Sequence, residues 1–482
     1  MKNSLTILFA AAALLLGGCK KFLEEDPQGI VIGEMALSNV NGLNAQMAGA
    51  YKSLAQPWDR GFADAAQFAC AMGGDDLTSH PGLNKQDFRE FDQFNVSALN
   101  ARSNTIWRGL YKTIQSSNNI IGNYQNITGD ETAINQIAGE AYFLRAFSYY
   151  YLVRWWGKVP LLTTATYSPD LLSVAKSEIV DVYAQIEADL KKAEELVGEA
   201  KLEPGRINKG TVKSYLADVY LTQTGYPVKD ASKAALAAAK AKEVIDEKGA
   251  YGFDLFQGDF QKIFATAYNE YVFALMTDGT STGNCYYGFS TMPGDEGGWD
   301  DYFAEINFFR DFPEGNRKNG TFTTVVNTEN GLKTWQQLST KHPYYKKFRI
   351  QTGDSMSYVS NSPIIFMRYA EVLLLYAEAQ ARSGAPNADA YAAINAVRQR
   401  AGLANLAASM SGDDFVKAVI QERAWEFAGE WHRWFDLVRT ETVAEANAHR
   451  DPAEIPLIGD PGDKTKWLIP VPAGDANANP NL

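Results

Sequence analysis

The stretch from Ile137 to Pro160 constrains the fold more than any other part of this chain. It reads IAGEAYFLRAFSYYYLVRWWGKVP, and its small and aromatic residues recur at the spacing of one long helix. Gly157, followed by Pro160, predicts where that helix ends. A helix with so many large aromatic side chains is unstable alone in water, so the sequence predicts that other helices pack around it.

Two later stretches have the form of a helix, a turn and a second helix. The first is Leu373 to Gly384 followed by Ala388 to Leu403, and the second is Lys213 to Gly225 followed by Ala231 to Ile245. Trp107 to Tyr111 is similar to the start of a tetratricopeptide repeat. These patterns predict a mostly α-helical fold, of a kind that usually forms scaffolds rather than catalytic centres.

The first residues have the features of an export signal. Lys2 is followed by a nearly continuous apolar run from Leu5 to Leu16, which is too short to span a membrane. The run ends in Leu16-Gly17-Gly18-Cys19, which resembles the lipobox of bacterial lipoproteins, where the cysteine is acylated and becomes the new N-terminus. We therefore predict a signal peptide over 1–18 and a lipid-anchored tether over 19–34. The alternative is an ordinary signal peptide that happens to contain Cys19.

The net charge and the cysteine content restrict the classes of function that this chain can have. The formal net charge of −12 argues against nucleic-acid binding, which needs a basic surface. After lipidation only Cys70 and Cys285 would remain, so the chain is not a disulfide scaffold. The two residues are predicted to be buried thiols, with a single bridge between them as the alternative.

The remaining helical pattern falls in four further segments and is interrupted by two loop-rich regions. Helices are predicted over Val40 to Leu54, Ala101 to Tyr124, Ser177 to Val197 and Phe415 to Arg439. The segment Gln56 to Ser97 is rich in Gly, Pro and polar residues and predicts a long ordered loop.

The second loop-rich region runs from Gly249 to Ser362. Gly and aromatic residues are dense there, and short β-prone runs occur at Tyr271 to Leu275 and Phe322 to Val326. This composition predicts a mixed α/β insertion in the helical scaffold.

Several segments together resemble the SusD/RagB family of outer-membrane nutrient-binding lipoproteins. They follow the family's order and span nearly the whole chain. The segments are Cys19–Pro27, Trp107–Ile121, Gly139–Pro160, Gly205–Tyr220, Met367–Arg382, Ala393–Leu403, Glu422–Arg439, Trp467–Pro472 and Asn479–Leu482.

The resemblance implies one SusD-like domain over 35–482 with about four tetratricopeptide-like helix pairs. The helical scaffold would cover about 35–248 and 363–440, and the loop-rich, ligand-binding part about 249–362. It further implies a lipoprotein held in the outer membrane and facing the cell exterior. Such a protein captures an oligosaccharide and delivers it to a SusC-like TonB-dependent transporter. Binding of a peptide is the alternative within the same family.

Aromatic platforms and a few hydrogen-bonding groups on loops suit a sugar ligand, since sugar rings stack their C–H faces on Trp and Tyr. Trp299 is the leading candidate because its neighbourhood, GDEGGWDDY, is too polar for a core strand. The alternative is that Trp299 closes its loop against the scaffold. The full set of predicted ligand contacts comes from the two loop-rich regions and comprises Trp58, Asp75, Asp76, His80, Tyr286, Tyr287, Trp299 and Tyr302.

Other conspicuous residues are predicted to be structural. The tryptophans Trp155, Trp156, Trp431 and Trp434 lie at core spacing within predicted helices. The charged residues that we expect to pair within or between helices are Arg145, Glu422, Arg423, Glu430, Arg433 and Arg439.

A surface glycosidase is the rival function, because adjacent carboxylates recur in the loops. That chemistry needs two carboxyl groups about 5–10 Å apart across a sugar, and neighbours along the chain need not converge. The zincin and P-loop motifs are absent from the sequence. We therefore predict no catalytic residues, and a pure protein-interaction scaffold is the third class considered.

No cofactor or metal is predicted either. The chain has four His, none near a Cys or another His. The segment Asp278 to Phe289 begins like a calcium loop but has Phe289 where the EF-hand pattern requires Glu. A structural calcium ion is therefore not indicated.

Overall fold

The structure, a computed structural model, describes residues 39–166, 168–200, 203–279, 283–349 and 360–482. The predicted signal peptide at 1–18, the tether at 19–34 and Cys19 lie outside the described residues. Within the described ranges, 19 α-helices carry the fold and the sheets are small, which confirms the mostly α-helical class.

The helices are numbered in chain order. They are α1 Val40–Leu54, α2 Ala66–Ala69, α3 Gln86–Asp92, α4 Ala101–Asn123, α5 Glu131–Trp156, α6 Ile179–Leu196, α7 Lys209–Gln223, α8 Lys233–Asp246, α9 Lys248–Tyr251, α10 Ile263–Thr266, α11 Tyr287–Ser290, α12 Ile306–Asp311, α13 Asn316–Thr321, α14 Tyr369–Ser383, α15 Ala388–Arg400, α16 Gly412–Glu426, α17 His432–Thr440, α18 Val443–Asn447 and α19 Ala473–Ala478.

The strands are short and pair antiparallel, two at a time. They are β1 Ala55–Gln56, β2 Arg60–Gly61, β3 Leu77–Ser79, β4 Tyr271–Leu275, β5 Tyr302–Ala304, β6 Phe322–Thr323, β7 Val325–Thr328, β8 Gly331–Thr334, β9 Tyr344–Tyr345 and β10 Ile364–Arg368. The pairs are β1 with β2, β4 with β10, β3 with β5, β6 with β9 and β7 with β8.

The long aromatic helix predicted at Ile137 to Pro160 is α5, and it begins earlier, at Glu131. The side chain of Asp130 caps its first turn by accepting the amide hydrogens of Thr132 and Ala133. Gly157 follows its last residue with a φ of 71°, where a side chain would be strained.

The long helices form one continuous row. In chain order, α1 packs on α4, α4 on α5, α5 on α6, α6 on α7, α7 on α8, α8 on α14 and α14 on α15. Each helix therefore contacts its predecessor in the row, as in a repeat scaffold, and the predicted tetratricopeptide-like arrangement fits this packing.

Aromatic side chains fill the space between this row and the loop-rich part. The ring centroid of Phe366 on β10 lies 4.9 Å from those of Phe62 and Phe147, with both pairs close to perpendicular. Phe366 also stacks on Phe273 of β4 at 5.3 Å. Trp155 is fully buried in the same core, as the helical spacing predicted.

The predicted β-prone runs form strands in the structure. Tyr271 to Leu275 is β4, while Phe322 to Val326 divides into β6 and the start of β7. The segment Gln56 to Ser97 is mostly irregular, with the short helices α2 and α3 and the short strands β2 and β3. In the described part of the chain, no helix has the length and apolar content needed to cross a membrane.

One predicted helix is wrong in its extent. Phe415 to Arg439 is not a single helix but two, α16 and α17, separated by a turn in which Gly429 and Trp431 have φ of 71° and 54°. Trp431 is buried as predicted but precedes α17 instead of lying inside a helix. The turn is stabilised by partners far away in the sequence, including the Asp76 carboxylate, which accepts the Gly429 amide hydrogen at 2.8 Å.

Glu426 and Glu430, on either side of the start of this turn, belong to a buried network of ion pairs. The guanidinium of Arg368 lies 2.7 Å from Glu426, 2.8 Å from Glu270 and 2.9 Å from Glu430. Arg400 bonds the same Glu426 at 2.6 Å. We call this set, together with Arg317, Arg398, Lys347 and Glu422, the buried ion network.

The predicted pairing between helices is present for Arg145, Arg423 and Arg439, whereas Glu430 and Arg433 pair with residues outside the helices. Arg145 binds Asp189 at 2.6 Å, and Arg423 binds Asp436 at 2.8 Å. Although burial raises the pKa of Glu426, Arg400, Arg368 and Arg317 outweigh that effect and hold the pKa at about 2. The buried carboxylate is therefore ionised at neutral pH.

Replacing Glu426 by Gln should strongly destabilise the protein. The substitution removes the carboxylate that Arg368 and Arg400 share and leaves these buried cations with fewer counter-charges, so we expect the free energy of unfolding to fall by about 3–5 kcal/mol. Because the pKa of Glu426 is depressed from 4.5 to about 2, its ionic stabilisation is present above pH 4.5 and is lost as the pH falls toward 2. Urea denaturation at pH 7 and pH 3 measures both effects.

The matched control is Glu243→Gln. Glu243 pairs with Lys213 at 3.0 Å, but its side chain is 40% exposed. An exposed pair contributes about 1 kcal/mol or less, so this variant should stay near the wild type. Equal losses in the two variants would contradict the importance assigned to the buried ion network.

Candidate functional site

Two loops that are distant in the sequence meet at a group of aromatic side chains. Trp58 lies on the turn between β1 and β2, while Tyr286 and Trp299 lie between β4 and β5. The ring centroid of Trp58 is 4.6 Å from that of Tyr286 and 5.7 Å from that of Trp299. Tyr286 stacks on Trp299 with 5.5 Å between centroids and 29° between ring planes. We call these three residues the aromatic cluster, and each of them is a predicted ligand contact.

The members of the aromatic cluster differ in exposure. Trp58 is 65% exposed, Trp299 is half-buried, and Tyr286 is only 3% exposed. The indole Nε1 of Trp58 donates to the hydroxyl of Tyr286 at 2.6 Å. Phe289 meets the ring of Trp299 edge-on, with 5.0 Å between centroids. Tyr286 and Phe289 thus support two tryptophans that offer ring surface to solvent.

The turn that carries Trp58 is held tightly against α4. Gly61 of β2 has a φ of +79°, and a Cβ there would lie 1.8 Å from the carbonyl oxygen of Leu54. Gly109 of α4 faces it so closely that its own Cβ would lie 2.7 Å from the Cα of Gly61. Glycine at both positions lets the β1–β2 hairpin lie directly on the helix, which fixes the height of Trp58 above the core.

The loop that carries Trp299 is held by ion pairs to neighbouring segments. Asp295 lies 2.7 Å from Lys333 of β8 and also accepts hydrogen bonds from Ser339. Partial burial would raise the pKa of Asp295, but Lys333 and Ser339 outweigh it and hold that pKa at about 2. The next residue, Glu296, pairs with Arg349 at 2.6 Å. These bonds make the loop an ordered support for Trp299.

Tyr287 and Tyr302, also predicted as ligand contacts, lie in the core. They are 1% and 0% exposed. Tyr302 stacks on Phe68 with 4.3 Å between centroids, and Tyr287 packs edge-on against the same ring at 4.8 Å. Because neither offers surface to solvent, a bound sugar could not reach them in this structure.

The carboxylates Asp75 and Asp76 are bound within the protein. Asp75 makes two bonds to Arg433, at 2.6 and 2.7 Å, and lines a separate cleft of about 640 Å³. Asp76 is 1% exposed and accepts the Gly429 amide hydrogen. Burial raises the pKa of Asp76 to about 7. Both residues link the first loop region to the segment around α17.

His80 lies near the base of the Trp299 loop. It is half-buried, and its Nδ1 accepts the amide hydrogen of Gly82 at 2.8 Å. Burial lowers the pKa of His80, and the negative charge of Asp300 opposes this effect. Its imidazole is thus engaged within its own turn, directly after the strand β3 that pairs with β5.

The residues that support the aromatic cluster were not predicted from the sequence. Phe289, Lys333 and Arg349 act through contacts with residues that are distant along the chain, and local patterns carry no signal for such pairs. Only the dense aromatic composition around Tyr286 pointed to this area.

The described residues offer no group of three or more His, Cys, Asp or Glu that could hold a metal ion. Cys70 and Cys285 are both free and buried, and burial raises the pKa of each thiol. The prediction that the protein needs no cofactor stays a prediction.

Replacing Gly61 by Ala should displace the Trp58 turn. The new methyl group would overlap the backbone of Leu54, so the hairpin would have to move, and we expect a loss of several kcal/mol in unfolding free energy with an altered near-ultraviolet circular dichroism spectrum. Gly331→Ala is the control because Gly331 also has a positive φ, of +92°, but nothing lies within 4 Å of its Cβ position. It should lose only about 1–2 kcal/mol.

The sequence profile of the SusD family matches residues 84–482. Among curated relatives, SusD-like protein P2 of Formosa agariphila is 27% identical over 99% of this chain and 98% of its own length. A SusD-like protein of Bacteroides ovatus is 26% identical over 91% of this chain and 82% of its own length.

Solved structures share the fold. The SusD homolog from Bacteroides thetaiotaomicron superposes with a TM-score of 0.81 at 23% identity, covering 94% of this chain and 98% of its own. A laminarin-binding SusD-like protein superposes with a TM-score of 0.75 at 23% identity, covering 92% and 98%. The matched profile covers most of the sequence and the fold agrees throughout, so this chain belongs to the SusD family.

Proposed function

We propose that this protein is a cell-surface lipoprotein that binds an oligosaccharide at the aromatic cluster and delivers it to a SusC-like TonB-dependent transporter. The observation that carries the proposal is the pairing of Trp58 and Trp299, which offer adjoining indole surfaces on ordered supports.

The chemistry of the aromatic cluster suits a sugar. The C–H faces of a pyranose ring are apolar and pack on indole rings, and a platform supported from behind keeps its shape before the ligand arrives.

The inclination of the two indoles favours a curved glycan. The ring planes of Trp58 and Trp299 make an angle of 58°. A flat ribbon such as a cello-oligosaccharide cannot lie on both faces at once, whereas a curved chain can follow the bend. The laminarin-binding relative shows that the fold can host such a ligand, so laminarin is the first glycan to test.

The loop carboxylates give less support to the alternative function, a glycan-degrading enzyme. Asp75 is bound by Arg433, Asp295 by Lys333, and Asp301 by Lys85. A carboxylate engaged by a cation within the protein is a poor proton donor, because the cation favours its charged form. Binding of a peptide at the aromatic cluster remains the alternative within the family.

The delivery step rests on the N-terminal sequence and on membership of the SusD family. Acylation at Cys19 would hold the protein in the outer membrane, and a short tether would keep it next to a transporter. A binding protein fixed in this way needs only to capture and release its ligand, since the transporter uses TonB energy.

Replacing either tryptophan by Ala should weaken glycan binding. We expect Trp299→Ala and Trp58→Ala each to lower the affinity at least tenfold, about 1.4 kcal/mol, because each removes one half of the stacking surface. Calorimetric titration of the soluble protein, begun after Cys19, should use laminarin, cello-oligosaccharides, acidic polysaccharides and peptides.

Trp425→Ala is the matched control for this titration. Trp425 is also partly exposed, but it lines the cleft that holds Asp75. If Trp425→Ala lost affinity while Trp58→Ala and Trp299→Ala kept it, the ligand would bind in that cleft and not at the aromatic cluster. If peptides bound and no glycan gave measurable binding, the ligand would be a peptide instead of a glycan.

Replacing Cys19 by Ser should release the protein from the membrane. Without the thiol no acyl chain can be attached, so we expect the variant in the soluble fraction of cells that lack the transporter gene. The wild type in the same cells should sediment with the outer membrane. A variant that still sediments would contradict the lipid anchor.

A further inference from the structure

Trp58 has a backbone conformation that a tryptophan does not adopt without support. It follows Pro57 in the turn of the β1–β2 hairpin, which is closed by a hydrogen bond from the amide of Asp59 to the carbonyl of Gln56 at 3.2 Å. Its φ is +62°, a region that normally belongs to Gly or Asn at the third position of such a turn. Some contact must therefore hold the residue in this form.

That contact is made by a buried carboxylate. The amide of Trp58 donates to Oδ2 of Asp64 at 2.6 Å. Asp64 is only 9% exposed, and Phe62, Ala63 and Ala65 around it are fully buried. We propose that Asp64 is the positioning residue of the ligand site, fixing Trp58 in the left-handed turn that presents its indole. This inference rests on the proposed function of the aromatic cluster.

Asp64 is itself held in place from the helical scaffold. Arg102 of α4 donates to the carbonyl oxygen of Asp64 at 3.0 Å, and the guanidinium of Arg102 lies over the ring of Phe88 at 4.7 Å. The carboxylate is therefore carried by a segment that is bonded to the helical scaffold. A short bond from such a fixed acceptor defines where the Trp58 backbone must lie.

The charge on Asp64 strengthens the bond. Burial raises the pKa of Asp64 to about 6, with the hydrogen bond from Trp58 and the charge of Arg102 opposing the shift and that of Asp59 adding to it. At pH 7.5 the group is mostly ionised, and an amide hydrogen bond to a carboxylate is stronger than one to a neutral oxygen. Within the described part of the chain, the other carboxylate oxygen, Oδ1, has no hydrogen-bond partner, and the bond from Trp58 is the one that this carboxylate accepts.

Trp58 is thus fixed at two points. Its backbone is held by Asp64 and its indole Nε1 by the hydroxyl of Tyr286. With the first point removed, a side chain that is 65% exposed would sample other positions before ligand arrives. Ordering it again on binding would cost affinity, so Asp64 acts on the ligand through Trp58 without touching it.

A double-mutant cycle tests this with laminarin as the probe. At pH 7.5 we expect Asp64→Ala to weaken binding about tenfold. Asp64→Asn keeps an uncharged acceptor and should weaken binding less. The double variant, Asp64→Ala with Trp58→Ala, should bind like Trp58→Ala alone. Asp59→Ala is the matched control, since Asp59 lies in the same turn but pairs with Arg60 at the surface. Additive losses, or wild-type affinity in Asp64→Ala, would overturn the proposal.

A second measurement needs no ligand. Protein labelled with fluorotryptophan gives fluorine resonances, and the one from Trp58 is identified by its loss in Trp58→Phe. We expect this resonance to shift most in Asp64→Ala, since the neighbouring ring of Trp299 is affected only through Trp58, and to stay in place in Asp59→Ala. An unmoved resonance would refute the positioning role. A moved resonance in a protein that binds neither glycan nor peptide would instead refute the ligand site and leave the positioning role standing.

Discussion

The buried ion network is the interaction on which the rest of the structure depends. Glu426 at the end of α16 and Glu430 in the turn that follows are bonded by Arg368 from β10, Arg400 from α15 and Lys347 from the loop-rich part. Removing such charges from water is costly, and only close pairing offsets the cost. The geometry must therefore be satisfied as a whole, which ties the end of the helical row to the segments that carry the loops.

The position of the aromatic cluster follows from this constraint. To bring Glu430 to Arg368, the chain must turn after α16, and the turn presents the Gly429 amide to the carboxylate of Asp76. Asp76 leads directly into β3, which pairs with β5, and β5 follows the Trp299 loop. The network, the turn and one strand pair thus form a continuous path of contacts from the scaffold to one half of the candidate site.

Much of the helical scaffold could be predicted because its signals are local. Helix α5 is indicated by the periodicity of its residues and by the glycine that follows it, and α1 was predicted at its observed bounds. The break between α16 and α17 could not be predicted, since the apolar spacing runs through it and its causes lie far away in sequence. For the same reason Tyr286 and Tyr287 were indistinguishable: both are buried, and only the packing around α11 places Tyr286 behind Trp58 and Tyr287 against Phe68.

The aromatic cluster joins residues that lie 228 positions apart, which explains why sequence could name its members but not assemble them. Each tryptophan has its own support: a hairpin pressed onto α4 for Trp58, and a loop with two ion pairs for Trp299. Neither support is made of the flexible, unpaired segments that order only when a ligand binds. The candidate site loses its conformational entropy during folding and not when a ligand binds. A ligand that fits the two inclined rings therefore needs no further ordering of this surface. That property suits the proposed role of capture and release.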